Sequence, residues 1–554
     1  MISTCKYAYT KTDRLVAALI AIAMLALCAG SLNCGCSWGD DSAAYMSEGI
    51  AIAEGNFKEQ VKLNVLLHPS ILGDNVKDEL VYVWGYPLLL SVVYLIDGFD
   101  TDNYSNIIVY KIPSAVFFAV MAVCFFLLLR RRFSLPASAF TTCIFCGASF
   151  FFEIVNSLYS DMVYMGMCML TLLCIELYIT ESSRRALIVK GIGLGAVIWY
   201  AAEVRTNGLV FVAVLLTAQL AAMRGQKKPG KDEILLRLIP YAVFLALKIV
   251  TEYVLLRPVT SNSADISVAS SDFIFANILF YITNLADFAT HQFYNLFASL
   301  LTPLLSANML ERLSSALYVI SEALGWASLA MAALGILTDG IKKNLHLSLY
   351  VIFCAAGTCL LPYTQGLRYM MGIMPVMVIF SVYGYRRIFA KARELLRKGA
   401  KGAENESGED TKKARPALKI AAGGALTVIL CLASCYVQYN ADVENIRAIK
   451  ANADDIHAGS EGMYSPEAIE IYDYIKANTP QDAVFAFHKP RALYLNTGRL
   501  AFSYLVNDRD VMDADYCILP EFFYQTYVNE ETPEWFSNFE VVLRNSELTL
   551  MAKK

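Results

Sequence analysis

Charge is scarce in this sequence: Asp, Glu, Lys and Arg make up 17% of 554 residues, against 56% hydrophobic residues. Ordinary soluble domains carry about 25% charged residues, so a chain wetted along its whole length is excluded. Positive charge is not in surplus either. The formal net charge of -4 gives no basic face for nucleic acid. Histidine is rare, and His68 and His291 lack metal-ligand spacing. No glycine-rich phosphate loop is present; Gly191, Gly193 and Gly195 sit in an apolar run, where close helix packing accounts for them. A disulfide framework is also missing. Of the 14 cysteines, most, such as Cys124, Cys146, Cys168, Cys354 and Cys431, lie inside apolar runs and act as small hydrophobes. Cys34 and Cys36 are too close for an unstrained bridge and read as free thiols.

What is present is apolar length. A spanning helix needs about 20 mostly apolar residues, and such runs start near Leu15, Ile107, Ser138, Met162, Ala186, Gly208, Leu235, Ala316, Leu345, Tyr369 and Ile420, about eleven in all. The first, with Lys11 and Arg14 ahead of it, has some look of a secretory signal but reads as a span. Basic clusters mark the cytoplasmic side: Arg130 to Arg132, Arg184-Arg185, Arg224 to Lys231, Lys342-Lys343 and the tract from Arg386 to Lys419. Alternation then predicts an N-terminus inside and a C-terminus outside. Val81 to Ile96 is short and reads as an interfacial or re-entrant helix, with Trp84 and Tyr86 at the interface. Ile274 to Leu305, interrupted by Asp287, His291 and Gln292, reads as outer-surface helices.

The predicted fold class is therefore an all-α polytopic membrane protein with a small extracytoplasmic α/β domain at its C-terminal end. A membrane module covers 1–390, including an outer loop at 32–106. A charged cytoplasmic linker at 391–419 and a last span at 420–439 lead to the domain at 440–554. In that domain Ser465-Pro466-Glu467 predicts a helix start, and Asn478-Thr479-Pro480 its end. Ala483 to Phe487, Tyr516 to Leu519 and Val541 to Leu543 predict buried strands.

Acids beside a span are costly in hydrocarbon and so informative. Asp40-Asp41 follow the first span, and Asp161 stands at the mouth of another. The topology drawn from basic residues alone puts both on one face. Such a pair can supply a general base for a hydroxyl and a group that positions the acceptor or helps to hold a divalent cation, magnesium or manganese. Capping of helix ends or solvation of loops is the plainer alternative. Lys111, Arg205 and Arg368 are cations on the predicted outer face. Recognition of a phosphate would explain them, as would lipid headgroups or snorkelling.

Taken in order, these motifs resemble those of the glycosyltransferase C superfamily, in particular bacterial members near the protein O-mannosyltransferase and lipid A aminoarabinose transferase families. Asp40-Asp41-x-x-x-Tyr45 is similar to the first-loop signature, and Trp84-Gly85-Tyr86-Pro87-Leu88 to the juxtamembrane helix. Ser160-Asp161 matches the acid of the second outer loop, Val204-Arg205-Thr206-Asn207-Gly208 an Arg-containing turn, and Gly366-Leu367-Arg368-Tyr369 a late Arg-Tyr motif. The likeness covers roughly residues 10 to 390. It departs in having Asp-Asp-Ser where Asp-Glu is frequent, and it shows no metal triad.

The resemblance implies transfer of a sugar from a polyprenyl-phosphate carrier to a glycolipid, cell-wall polymer or protein acceptor, outside the cell membrane and with inversion. Asp41, spaced four from Tyr45, is then the first choice for general base, and Asp40 the second. Asp161 would position the acceptor or share a metal with Asp41. Arg205 and Arg368, with Lys111, would hold the donor phosphate, while Tyr45, Trp84, Tyr86 and Tyr369 would line the substrate groove. An outer-face polysaccharide polymerase or ligase, or a transporter of lipid-linked glycans, is the rival reading.

Overall fold

The computed structural model describes residues 9–67, 83–223 except 101 and 103, 230–251, 271–361 except 303, and 366–403. It also describes 428–447 except 430, 434 and 437, residue 457, and 460–504, 511–529 and 532–554. Apolar helices dominate up to residue 403. They are α1 (Lys11–Ser31), α2 (Asp40–Glu54), α3 (Phe57–Leu66), α4 (Gly85–Asp97), α5 (Ile107–Tyr110), α6 (Ile112–Arg130), α7 (Leu135–Cys146) and α8 (Ser149–Asn156). Then come α9 (Ser160–Ile179), α10 (Arg184–Val204), α11 (Val210–Met223), α12 (Lys231–Ile249), α13 (Ser271–Leu301), α14 (Ala307–Gly335), α15 (Ile341–Lys343), α16 (Leu345–Cys359) and α17 (Met374–Ala403).

Seven helical segments have the length and hydropathy of a membrane span, eight if α7 and α8, bent by 53°, count as one. The expected eleven are therefore not reached among the described residues. The helix near Leu235 carries Arg237 and Lys248, the one starting at Leu345 is only 15 residues long, and α17 turns charged from Arg386. The run from Ile420 lies largely outside the described residues. The expected linker at 391–419 is helical as far as Ala403.

Two segments that resisted a simple reading are resolved differently. α4 is 13 residues, about 20 Å of helix, too short for the hydrocarbon core. Residues 274–305, expected as outer-surface helices, fall mostly in one continuous 31-residue helix, Ser271–Leu301, with the hydropathy of a span. Asp287 and His291, two of the polar residues that seemed to break this run, are one helical turn apart and share a face.

Buried ion pairs tie the helices to one another. Asp13, in the first turn of α1, closes a capping box with Thr10 and meets Arg130 Nε at 2.6 Å. Glu176 of α9 takes both Arg131 and Arg132 at 2.6 Å. Lys248, a cation within an apolar run, pairs with Glu203 at 2.8 Å. Each charge is thereby matched without water.

The C-terminal domain is an α/β unit, as expected. Ser465 caps α18 (Pro466–Asn478), accepting from the Ala468 amide, and Pro466 occupies the first turn. A five-stranded sheet of order β2-β1-β3-β5-β4 follows, from β1 (Val484–Phe487), β2 (Leu500–Phe502), β3 (Tyr516–Pro520), β4 (Phe539–Arg544) and β5 (Leu548–Lys553). β1, β2 and β3 are parallel, with α19 (Pro490–Thr497) crossing from β1 to β2, and β5 and β4 close the sheet antiparallel.

This domain grips the loop ahead of α2. Cys36 donates its amide to Glu461 O at 3.0 Å and accepts from the Met463 amide at 2.9 Å, forming a bridge to Gly462. Gly462 has φ +80°, and an added Cβ would lie 1.9 Å from Cys36 O. Gly462→Ala is therefore expected to cost about 1–3 kcal/mol in backbone strain alone and to free the domain from the loop. A lowered unfolding temperature with faster limited proteolysis between the two parts would show it.

Candidate active site

Four segments remote in sequence converge where α2 and α9 begin and α10 ends. Gly39 precedes α2, and a Cβ there would have to push the Tyr159 ring aside. Asp41 follows in the first turn of α2, and Asp161 in the first turn of α9, where the helix dipole favours a carboxylate. Arg205 is the extended residue that ends α10, and Arg368 lies on the short 3-10 turn Leu367–Met370 between α16 and α17.

Asp161 is the buried centre. One carboxylate oxygen accepts from Arg205, and the other accepts from Arg368 Nε at 3.0 Å and Nη2 at 2.8 Å. Arg368 also reaches Asp41 Oδ2, at 3.4 Å from Nη2. The two acids thus differ in kind: the Asp161 side chain is 0% exposed and that of Asp41 32%. Asp41 is the open carboxylate of the pair.

Aromatic rings fix the guanidinium groups. Arg368 lies 3.7 Å from the Tyr159 ring centroid, and Arg205 lies 5.1 Å from that of Tyr369. Tyr45, one helical turn beyond Asp41, hydrogen-bonds Ser160 at 3.0 Å and meets the Tyr86 ring edge-on at 5.2 Å. Tyr86 is fully buried, and Trp84 packs on Trp199. Asp41, Asp161, Arg205, Arg368, Tyr45 and Tyr369 are therefore together, as the motif order implied, with Tyr86 behind Tyr45. Asp40 opens α2; its side chain is outside the described set. His68 also lies outside the described residues.

Lys111 corrects an expectation. It is fully buried, and its ammonium donates to Asn33 O at 2.7 Å, to Gly35 O and to Asn156 Oδ1 at 3.2 Å. These acceptors already satisfy its three donors, so it pins the loop before α2 instead of facing a phosphate. Lys111→Met is expected to lower stability by about 1–3 kcal/mol, because buried acceptors lose their donor; thermal unfolding measures it. A phosphate-binding role would predict no such loss.

The metal reading does not fit either. Both oxygens of Asp161 rest on guanidinium groups, and Asp41 Oδ2 faces one of the same pair. A cation bridging these acids would have to enter against two positive charges and displace an ion pair. Among the described residues no three His, Cys, Asp or Glu side chains gather as metal ligands.

Sequence reasoning gave no role to Tyr159, and it named Ser160 only as part of the motif with Asp161, not as the partner of Tyr45. It also missed the C-terminal domain at this site. Trp38, three residues before Asp41, meets the Phe487 ring at 5.7 Å and His488 at 6.3 Å, at the end of β1. Burial, with Lys489 beside it, pushes the His488 imidazole down to about 4.

No family model matches the chain, and no curated protein does. Solved structures do. ArnT from Cupriavidus metallidurans, determined with undecaprenyl phosphate bound, is 12% identical, with a TM-score of 0.50 over 98% of both chains. The Archaeoglobus fulgidus oligosaccharyltransferase, determined with zinc and sulfate, is 12% identical, with a TM-score of 0.52 over 97% of this chain and 73% of its own. At these identities the likeness is one of fold, and it is the fold that the motif order implied.

Proposed function

We propose that this chain, sharing its fold with two lipid-dependent sugar transferases, moves a sugar from a polyprenyl-phosphate carrier to an acceptor hydroxyl on the extracytoplasmic side of the membrane. The observation that carries this reading is the asymmetry of the acids: an open Asp41 touches the same guanidinium that a buried Asp161 holds in place. A group bridged by two arginines is a poor proton acceptor, so Asp161 positions and Asp41 acts as the base. In the reaction, Asp41 takes the proton of the acceptor hydroxyl as its oxygen attacks the anomeric carbon. The bond from that carbon to the phosphate oxygen breaks on the opposite side, which inverts the configuration. Polyprenyl phosphate leaves as an anion, and Arg205 and Arg368 stabilise the growing charge, a contribution of about 3–4 kcal/mol per well-placed donor.

Support also comes from the ArnT structure, whose bound undecaprenyl phosphate is the leaving group this reaction would release. The test is purified protein in lipid nanodiscs, supplied with undecaprenyl-phosphate-linked sugars. Time-dependent release of undecaprenyl phosphate, matched by glycosylated acceptor, is expected. Movement of intact lipid-linked sugar across vesicles without cleavage of its phosphate bond would overturn the reading in favour of a transporter.

A further inference from the structure

The middle of α13 carries chemistry that the active site does not use. Asn284, Asp287, His291 and Asn295 are spaced three, four and four residues apart, so they share one face of an otherwise apolar helix. They open onto a cavity of about 280 Å³, together with Gln292 and with Glu153 of α8. His291 Nε2 lies 3.6 Å from Asp287 Oδ1. Its wall includes Leu367, the residue before Arg368, and Glu153 of α8, the helix that precedes α9 in the chain.

A second cavity, of about 250 Å³, adjoins it and shares Phe288 and Gln292 with it. This one is apolar, formed between α7, α13, α14 and α17 by residues such as Phe140, Met377 and Val382. No Lys or Arg is present among the described lining residues of either cavity. That composition does not suit a phosphate, which calls for cations. Carboxylates, amides and an imidazole beside the Phe150–Phe288 ring pair, 5.7 Å apart, suit hydroxyl groups on a ring with an apolar face. Ionisable groups in the middle of an apolar helix are costly unless a ligand or partner meets them.

We infer that the two cavities form one bipartite site for a lipid with an uncharged saccharide headgroup, the apolar part taking the chain and the polar part the hydroxyls. Its place in the reaction rests on the sugar-transfer reading. The sugar belongs to an acceptor glycolipid: a polyprenyl-phosphate donor carries its phosphate between chain and sugar, where the described lining of the two cavities offers no cation.

The probe is dodecyl maltoside with a diazirine in its alkyl chain, photo-crosslinked to the whole protein in nanodiscs and mapped by peptide mass spectrometry. Labelling is expected on α7, α13 and α17, and excess unlabelled dodecyl maltoside should compete it away while dodecyl phosphate does not. Asp287→Leu with Asn295→Leu should weaken labelling about tenfold by removing hydrogen bonds to the headgroup. Ala289→Phe, which fills the apolar part, should do the same without touching a polar group. Competition by glycosyl diacylglycerol is expected, and stronger competition by undecaprenyl-phosphate-linked sugar would overturn the assignment to an acceptor. Equal competition by dodecyl phosphate, or unchanged labelling in both variants, overturns the inference. Because the assay needs no turnover, its result stands whether or not sugar transfer is found.

Discussion

Asp41→Asn is expected to lower sugar transfer by about 10²–10⁴-fold, the usual contribution of a general base, while leaving the protein folded. The amide keeps the shape of the carboxylate and its hydrogen bond from Arg368, and the position is one-third open, with a side-chain exposure of 32%. Unfolding temperature should therefore barely move. Donor binding should hold as well, because Arg205 and Arg368 keep their partner in Asp161. A loss confined to the turnover rate is thus the expected signature. The same exchange at Asp40 decides between the two neighbouring acids. Full activity in Asp41→Asn with loss in Asp40→Asn would move the base by one residue; full activity in both would remove general base catalysis from this loop.

Asp161→Asn should fail differently, losing stability and activity together. The carboxylate is buried and neutralises two guanidinium groups that are themselves mostly covered, at 17% and 23% exposure. Removing one member of such a pair leaves charge uncompensated away from water and typically costs about 3–5 kcal/mol. The arginines would also lose the geometry in which they meet the leaving phosphate, with a further loss of about 10²–10³-fold in transfer. Thermal unfolding of the nanodisc-embedded protein and the transfer rate of its folded fraction separate the two effects. An Asn variant as stable as the parent would show that Asp161 does not hold the arginines.

Much of this site was legible because it depends on residue order along the chain and on charge placed against hydrophobicity. Asp41, Asp161, Arg205 and Arg368 stand out since charge beside an apolar run has few innocent reasons. Lys111 stood out for the same reason and was misread: the backbone carbonyls of Asn33 and Gly35 that satisfy it leave no trace in sequence. Tyr159 carries no charge, so its place under Arg368 was silent. The continuity of α13 was hidden because averaging over a window treats Asp287 and His291 as breaks, whereas helical periodicity puts them on one face. In the C-terminal domain, α18 and strands β1 and β3 followed from capping residues and buried runs; β4 was expected as buried, but it is an edge strand and Val541 on it is 43% exposed. β2 has three residues, too few for a pattern. β5 is buried through its first four, Leu548 to Met551, and so lacks the alternation that marks a half-exposed strand.

The clasp between Cys36 and Gly462 has a consequence for how this protein can be governed. Only four residues separate Cys36 from Asp41, so whatever tilts or lifts the tail hauls on the short lead to that acid. Under the proposed reaction the tail is a lever on the base, set outside the helical module. A binder that wedges beneath it would brake the protein without ever competing for its substrates.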